Sequence, residues 1–229
     1  MAIKIDVPKG RIVSGYVEYV LWTEALKSLS SRDFSVISAK ENLELIMQEG
    51  LTPTFKHGNR VREAFIYFPN AQDKIILVKH SPALDFQEEY SKTHRDPHKI
   101  TSDNFEDFHL TDEQLELALK YSVALKNTPG KACDTPTNRF GEDEFTSFLF
   151  GDSAKRAGEF LNDCGVSELF SLFSAWPCWF SYHDRPFLKQ MHLSIVKTDD
   201  FPTPVLHIGH PEYFGRVFTR VRGIKYSKK

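Results

Sequence analysis

The sequence predicts an α+β protein: a largely antiparallel, curved sheet with helices inserted in the middle of the chain. Three observations predict it. Segments rich in Val, Ile, Phe and Tyr lie in the first and last thirds. Two helix-start signatures, each a hydroxyl residue followed three places on by Glu or Gln, fall before residue 115. The βαβαβ alternation of a doubly wound sheet is missing, as are G-x-G-x-x-G and G-x-x-x-x-G-K-[ST] phosphate loops. The length of 229 residues, with 41% hydrophobic and 26% charged residues, suits one globular domain over 1–229.

The elements follow in order. Arg11–Trp22 reads as a strand, with Val13, Val17, Tyr19 and Leu21 on its more apolar side. Phe34–Ile37 reads as another. Ser38 and Glu41 form a capping box, Leu43, Ile46 and Met47 give the helix its buried stripe, and Gly50 closes it. Val61–Phe68 and Lys74–His80 read as two strands joined by the turn Pro69–Asp73. On the first of these, Ala64, Ile66 and Phe68 read as the core face; Val61, Glu63, Phe65 and Tyr67 share the other. Ser81–Leu110 is polar, His-rich and weakly periodic, a surface excursion. Thr111 and Gln114 make the second capping box, and the helix they open is expected to run to near Asn127, before Thr128-Pro-Gly. Cys133–Gly141 reads as a loop, Glu142–Phe173 as one or more helices. Cys178–Tyr182, Leu188–Lys197, Val205–Ile208 and Tyr213–Tyr226 read as strands.

Composition excludes several classes. No apolar run approaches the roughly 18 residues of a membrane helix. The opening residues lack the apolar core of a signal peptide, and three widely spaced cysteines form no disulfide framework. A cytoplasmic protein is the expectation. Charge is nearly balanced, 29 basic against 31 acidic residues, but it is unevenly spread. Thr101–Leu119 carries six acids and no Lys or Arg, whereas Tyr213–Lys229 carries six bases and no acid. Such asymmetry marks either a polyanion-binding face or a solubilising tail.

Candidate chemistry gathers in a few places. On the last strand a period of two puts Phe214, Arg216, Phe218, Arg220, Arg222, Ile224 and Tyr226 on one solvent-facing side. Interleaved arginines and aromatics suit phosphates and stacked bases; the alternative is an edge strand whose arginines discourage aggregation. Glu63 and Tyr67 present a carboxylate and an aromatic ring together. His207 and His210 flank Ile208-Gly209, and the turn residues Gly209 and Pro211 suit presentation of His210 for proton transfer. No third or fourth metal ligand is identifiable beside them, so neither a metal nor another cofactor is expected.

Three resemblances extend this reading. His192-Leu193-Ser194-Ile195 resembles the H-Φ-[ST]-Φ signature of the 2H phosphoesterases. His109-Leu110-Thr111 stands as a second copy in which Asp112 replaces the apolar fourth residue. The stretch from Ser38 to Leu43, running on to Gly50-Leu51, resembles the strand-to-helix opening of ADP-ribosyltransferase-like domains, although Val36 stands where those enzymes place His or Arg. In order and spacing, Arg32, Glu63, Tyr67, Lys155 and His210 resemble the functional set of the restriction DNA glycosylases with a half-pipe fold. This last resemblance implies a dimeric trough for duplex DNA and metal-independent hydrolysis of a flipped base. Tyr67 is then expected to stack on the base and His210 to contact it, with Glu63 and Arg32 shaping the pocket and Lys155 touching DNA. Arg216, Phe218, Arg220 and Arg222 add a nucleic-acid surface. The leading expectation is a cytoplasmic, base-excising restriction DNA glycosylase, with a homodimer as its expected assembly. The alternatives are an ADP-ribosyltransferase-like protein, a 2H-type phosphoesterase and a non-catalytic interaction protein.

Overall fold

A computed structural model describes residues 4–5, 12–18, 22–51, 58–84, 108–126, 128, 133–172, 177–181, 183–197, 203–209 and 220–226. Its strands are β1 (Lys4–Ile5), β2 (Ile12–Glu18), β3 (Ser35–Val36), β4 (Asn59–Tyr67), β5 (Lys74–Val78), β6 (Phe108–His109), β7 (Ser122–Lys126), β8 (Cys133–Pro136), β9 (Glu168–Leu172), β10 (Phe187–Val196), β11 (Val205–Gly209) and β12 (Arg220–Tyr226). Its α-helices are α1 (Trp22–Ser30), α2 (Ala39–Glu49), α3 (Asp112–Leu119), α4 (Glu144–Phe150), α5 (Ala154–Asp163) and the single turn α6 (Pro177–Phe180). The protein is α+β. Among the described residues no helix is long and apolar enough to cross a membrane.

All the described strands join one mixed, mostly antiparallel sheet, whose main path runs β1-β2-β12-β4-β10-β11-β9-β8. The antiparallel pair β4–β10 is its axis. At one end, Ala64–Tyr67 of β4 pairs with β5, β5 pairs with β7, and Phe187–Leu188 of β10 pairs with β6. At the other end, Arg60 of β4 meets Val221 of β12, and His192–Val196 of β10 pairs with β11. Parallel pairing occurs between β11 and β9 and at the Arg60–Val221 contact.

Helices cover both faces of the axis, which explains why nearly all of β4 is buried. One face carries Val61, Phe65, Tyr67, Met191 and Leu193 against Leu43 and Ile46 of α2, Leu149 of α4 and Leu161 of α5. The other carries Ala64, Ile66 and Leu188 against Ala25, Leu26 and Leu29 of α1 and Ala118 of α3. Burying a large apolar side chain contributes about 1.5–3 kcal/mol, so these two layers dominate the favourable side of folding. Gly158 lets α5 approach the Thr137–Arg139 turn closely. A Cβ there would stand 2.1 Å from the Thr137 carbonyl oxygen.

Both capping boxes form. The Ser38 hydroxyl accepts from the Glu41 N–H while Glu41 accepts from the Ser38 N–H; Thr111 and Gln114 do the same for α3. Several expected boundaries are corrected. The strand expected over Arg11–Trp22 ends at Glu18, and α1 follows, because the 3–4 spacing of Ala25, Leu26 and Leu29 buries a helical stripe. The helix expected to reach Asn127 stops at Leu119. Val123 and Leu125 then alternate inward along β7, paired with β5. The expected loop Cys133–Gly141 contains β8, and the expected helical stretch to Phe173 contains β9. The expected strand Cys178–Tyr182 overlaps α6, where Pro177 occupies a first-turn position that needs no N–H donor. Most of the Ser81–Leu110 excursion lies outside the described residues.

Candidate functional site

Strand β4 puts Glu63 and Tyr67 on the face that packs under α2, and both side chains are buried. An Oε2 of Glu63 accepts the N–H of Ala39 at 2.8 Å, at the first turn of α2. That satisfies one of the helix's orphan donors with a carboxylate at its positive end. Burial pushes the Glu63 carboxyl up to about 7. The Ala39 N–H, its own backbone, Lys79 and Arg62 pull the other way.

Lys79 faces Glu63 across the β4–β5 hairpin, one position beyond the Ala64–Val78 pair. Its ammonium donates to the carbonyls of Phe148 and Leu149, the latter at 3.1 Å, at the C-terminal end of α4. It also lies 4.6 Å from the centroid of the Phe148 ring. Burial lowers the Lys79 pKa, opposed by the Glu63 charge. Glu63 and Lys79 therefore hold opposite helix ends, each matched in sign to the helix dipole it meets. Sequence reading passed over Lys79. The hairpin register beside Glu63 was the available signal.

Tyr67 stacks on Phe187 at 5.3 Å between centroids and meets Phe180 edge-on at 6.3 Å. It is a core ring, already sandwiched by aromatics, with no open face for a flipped base. On Phe187 stacks His183, at 3.8 Å, and His183 Nδ1 shares a hydrogen bond with His109 Nε2 at 2.9 Å. This imidazole pair lies toward the surface; His109 is exposed.

The remaining sequence candidates scatter. Arg32 is exposed in the turn after α1, the helix that packs on the opposite face of the sheet from Glu63 and Tyr67. Of the four residues expected around the flipped base, Arg32 is thus separated by the sheet from Glu63 and Tyr67, and the fourth, His210, is not among the described residues. Lys155 is exposed on α5. His210, Arg216 and Phe218 lie outside the described residues. Arg220 begins β12 opposite Glu18 of β2. Arg222 is buried: its guanidinium donates to the Ser14 hydroxyl at 2.7 Å and to Glu49 at 3.3 Å. Strand β12 lies between β2 and β4, so it is neither a solvent-facing strand nor a sheet edge, and Arg222 holds no phosphate-tracking position. Glu49 ends α2, where a carboxylate opposes the helix dipole; Arg222 offsets that.

His207 is buried on β11, and burial, then the neighbouring His192, lower its pKa to about 3. His192 lies on β10 beside Gly58, whose φ of +69° and missing side chain leave room for the imidazole. A Cβ on Gly58 would stand 2.0 Å from His192 Nε2. The 2H-type pairing does not form. His109 lies opposite Phe187, five residues along β10 from His192, about 16 Å of strand. The Ser38 segment serves as the cap of α2, its hydroxyl bonded to Glu41. Among the described residues no group of three or more His, Cys, Asp or Glu could hold a metal ion.

No family model matches the chain, and no curated protein matches it. A solved structure described as "Accommodation of massive sequence variation in Nanoarchaeota by the C-type lectin fold" is similar to it. The TM-score is 0.58 and the identity 11%, over 93% of this chain and 97% of that one. Likeness at that identity is a likeness of fold. It overturns the resemblance to half-pipe restriction glycosylases, and with it the expected base-excising restriction function. The burial of Glu63 and Tyr67 and the wide placement of Arg32 give the physical reason: the proposed pocket does not assemble.

Proposed function

We propose that this chain is a non-catalytic binding protein, one α+β domain whose sheet and helices form a frame for non-covalent recognition of a partner. The observation that carries the reading is the use made of the chemistry-bearing side chains. Glu63 caps α2, Tyr67 fills the core, Arg222 ties β12 to α2 and β2, and Ser38 caps a helix. Groups committed in this way hold a scaffold. The C-type lectin fold of the similar structure supports the reading, since that fold is described there as accommodating massive sequence variation. In this chain two buried apolar layers would provide the constant part, leaving exposed positions available for recognition.

The test is turnover by purified protein. Mixed-sequence duplex DNA in EDTA, a nicotinamide dinucleotide and a 2′,3′-cyclic nucleotide are each incubated with it. The expected result is no abasic site, no released nicotinamide and no opened cyclic phosphate. Turnover of any one that tracks with the protein through purification would overturn the reading.

A further inference from the structure

Two histidines 74 residues apart meet at the β6 end of the sheet. His109 lies on β6, opposite Phe187 of β10, and the bond from the Leu110 N–H to the Pro186 carbonyl at 2.9 Å fixes the chain just after it. His183 follows α6, where its N–H donates to the Phe180 carbonyl at 3.2 Å. Its ring stacks on buried Phe187, which itself stacks on Tyr67 and meets Phe180 edge-on at 6.1 Å. Backbone pairing thus places one imidazole, and an aromatic column places the other. His109 Nε2 and His183 Nδ1 stand 2.9 Å apart, with the rings tilted by 56° and His109 exposed.

We propose that these two nitrogens bind a divalent transition-metal ion of the Cu(II) or Ni(II) class at neighbouring coordination positions. Imidazole nitrogen suits such ions as a ligand. Metal–nitrogen bonds run at about 2.0–2.1 Å. Two nitrogens 2.9 Å apart then subtend about 90° at the ion. That is the angle between neighbouring ligands in the tetragonal geometry of Cu(II) and Ni(II), whereas the tetrahedral angle of Zn(II) requires about 3.3–3.4 Å. The described residues supply these two ligands, and the exposure of His109 gives water access to the other positions.

Without an ion the pair forms a hydrogen bond between neutral rings, in which one nitrogen carries the proton and the other accepts it. An ion takes the place of that proton. The ring that carried it is protonated on its other nitrogen instead, so both lone pairs on the shared side reach the ion and the pair stays neutral. The rings stand nearly end to end, 5.0 Å between centroids, and a modest turn about the soft χ2 torsions aims both lone pairs at one point. Strand pairing and stacking already hold the rings together, so binding has little ordering left to do. The neighbouring Asp184 and Arg185 pair with each other at 3.4 Å, so the turn sets no net charge against a dication. The site is independent of whether the chain proves catalytic.

The experiment titrates the full chain with NiCl2 by isothermal titration calorimetry and reads the paramagnetic resonance of Cu(II) added at one equivalent. The wild type is expected to bind Ni(II) with a Kd below about 100 µM and to show Cu(II) splitting from two imidazole nitrogens. His109→Asn and His183→Asn each remove one ligand. Each is expected to weaken Ni(II) binding more than tenfold and to lose the two-nitrogen pattern. His80→Asn, which removes an exposed histidine just after β5, is expected to bind as the wild type does. His109→Asn replaces an exposed side chain, and an unchanged urea midpoint shows that the fold is kept. No saturable Ni(II) binding by the wild type, or binding of wild-type strength in either pair variant, would overturn the inference and leave a hydrogen bond only.

Discussion

Replacement of Arg222 by alanine is expected to lower the unfolding free energy by about 3 kcal/mol. That is the lower end of the cost of removing one partner from a buried ion pair. The side chain is fully buried, and its guanidinium joins Ser14 of β2 to Glu49 at the end of α2. Truncation leaves Glu49 without its countercharge at the unfavourable end of a helix dipole, and leaves a void the size of the lost side chain. Part of Glu49 remains exposed, which keeps the loss near the bottom of the range. Urea unfolding at neutral pH checks it, through a lower midpoint at unchanged slope. A loss under about 1 kcal/mol would place Arg222 in solvent, as a nucleic-acid surface requires.

The second large effect is on pH dependence. In the folded protein Glu63 has its pKa raised from 4.5 to about 7. The folded state therefore binds this proton more tightly than the unfolded chain. Its stabilising contribution is full below 4.5, declines as pH rises from 4.5 to 7, and is absent above. The total is about 3 kcal/mol at 1.36 kcal/mol per pKa unit. His207, lowered from 6.5 to about 3, acts in the opposite sense: its contribution is full above 6.5 and declines as pH falls toward 3. Across 4.5–6.5 the two slopes oppose, and wild-type stability stays nearly level with respect to this pair. Glu63→Gln keeps an acceptor for the Ala39 N–H and removes one titration. The variant's stability relative to wild type is expected to improve by about 3 kcal/mol between pH 4.5 and 7.5. Urea midpoints of both proteins across that range supply the check. A difference that does not move with pH would mean that Glu63 is solvated.

The parts of this fold that sequence reveals are the local ones. Ser38 with Glu41, and Thr111 with Gln114, announce helix starts because both partners of each bond lie within four residues. The strands Val61–Phe68 and Lys74–His80 emerge because apolar residues crowd them, and the observed β4 and β5 overlap both. Periodicity also places Glu63 and Tyr67 on one face. It cannot tell that this face is covered, since the cover comes from α2, α4 and α5 together, and α4 and α5 lie far along the chain. Arg222 shows the same limit. An arginine alternating with Ile224 looks solvent-facing until β2, some two hundred residues earlier, is known to pair with β12. The glycosylase resemblance failed for a related reason: matching order and spacing along a chain places no constraint on which side of a sheet each residue occupies. Arg32 and Glu63 are close in sequence, yet they belong to opposite faces.

In this structure the residues with catalytic character hold the frame together. Urea unfolding of four single variants at one pH is the check: Tyr67→Ala, Arg222→Ala, Arg32→Ala and Lys155→Ala. Losses of about 3–5 kcal/mol are expected for Tyr67→Ala and about 3 kcal/mol for Arg222→Ala, the costs of emptying an aromatic core site and of breaking a buried ion pair. Changes within about 0.5 kcal/mol are expected for exposed Arg32 and Lys155. Near-wild-type stability in the Tyr67 and Arg222 variants would contradict it.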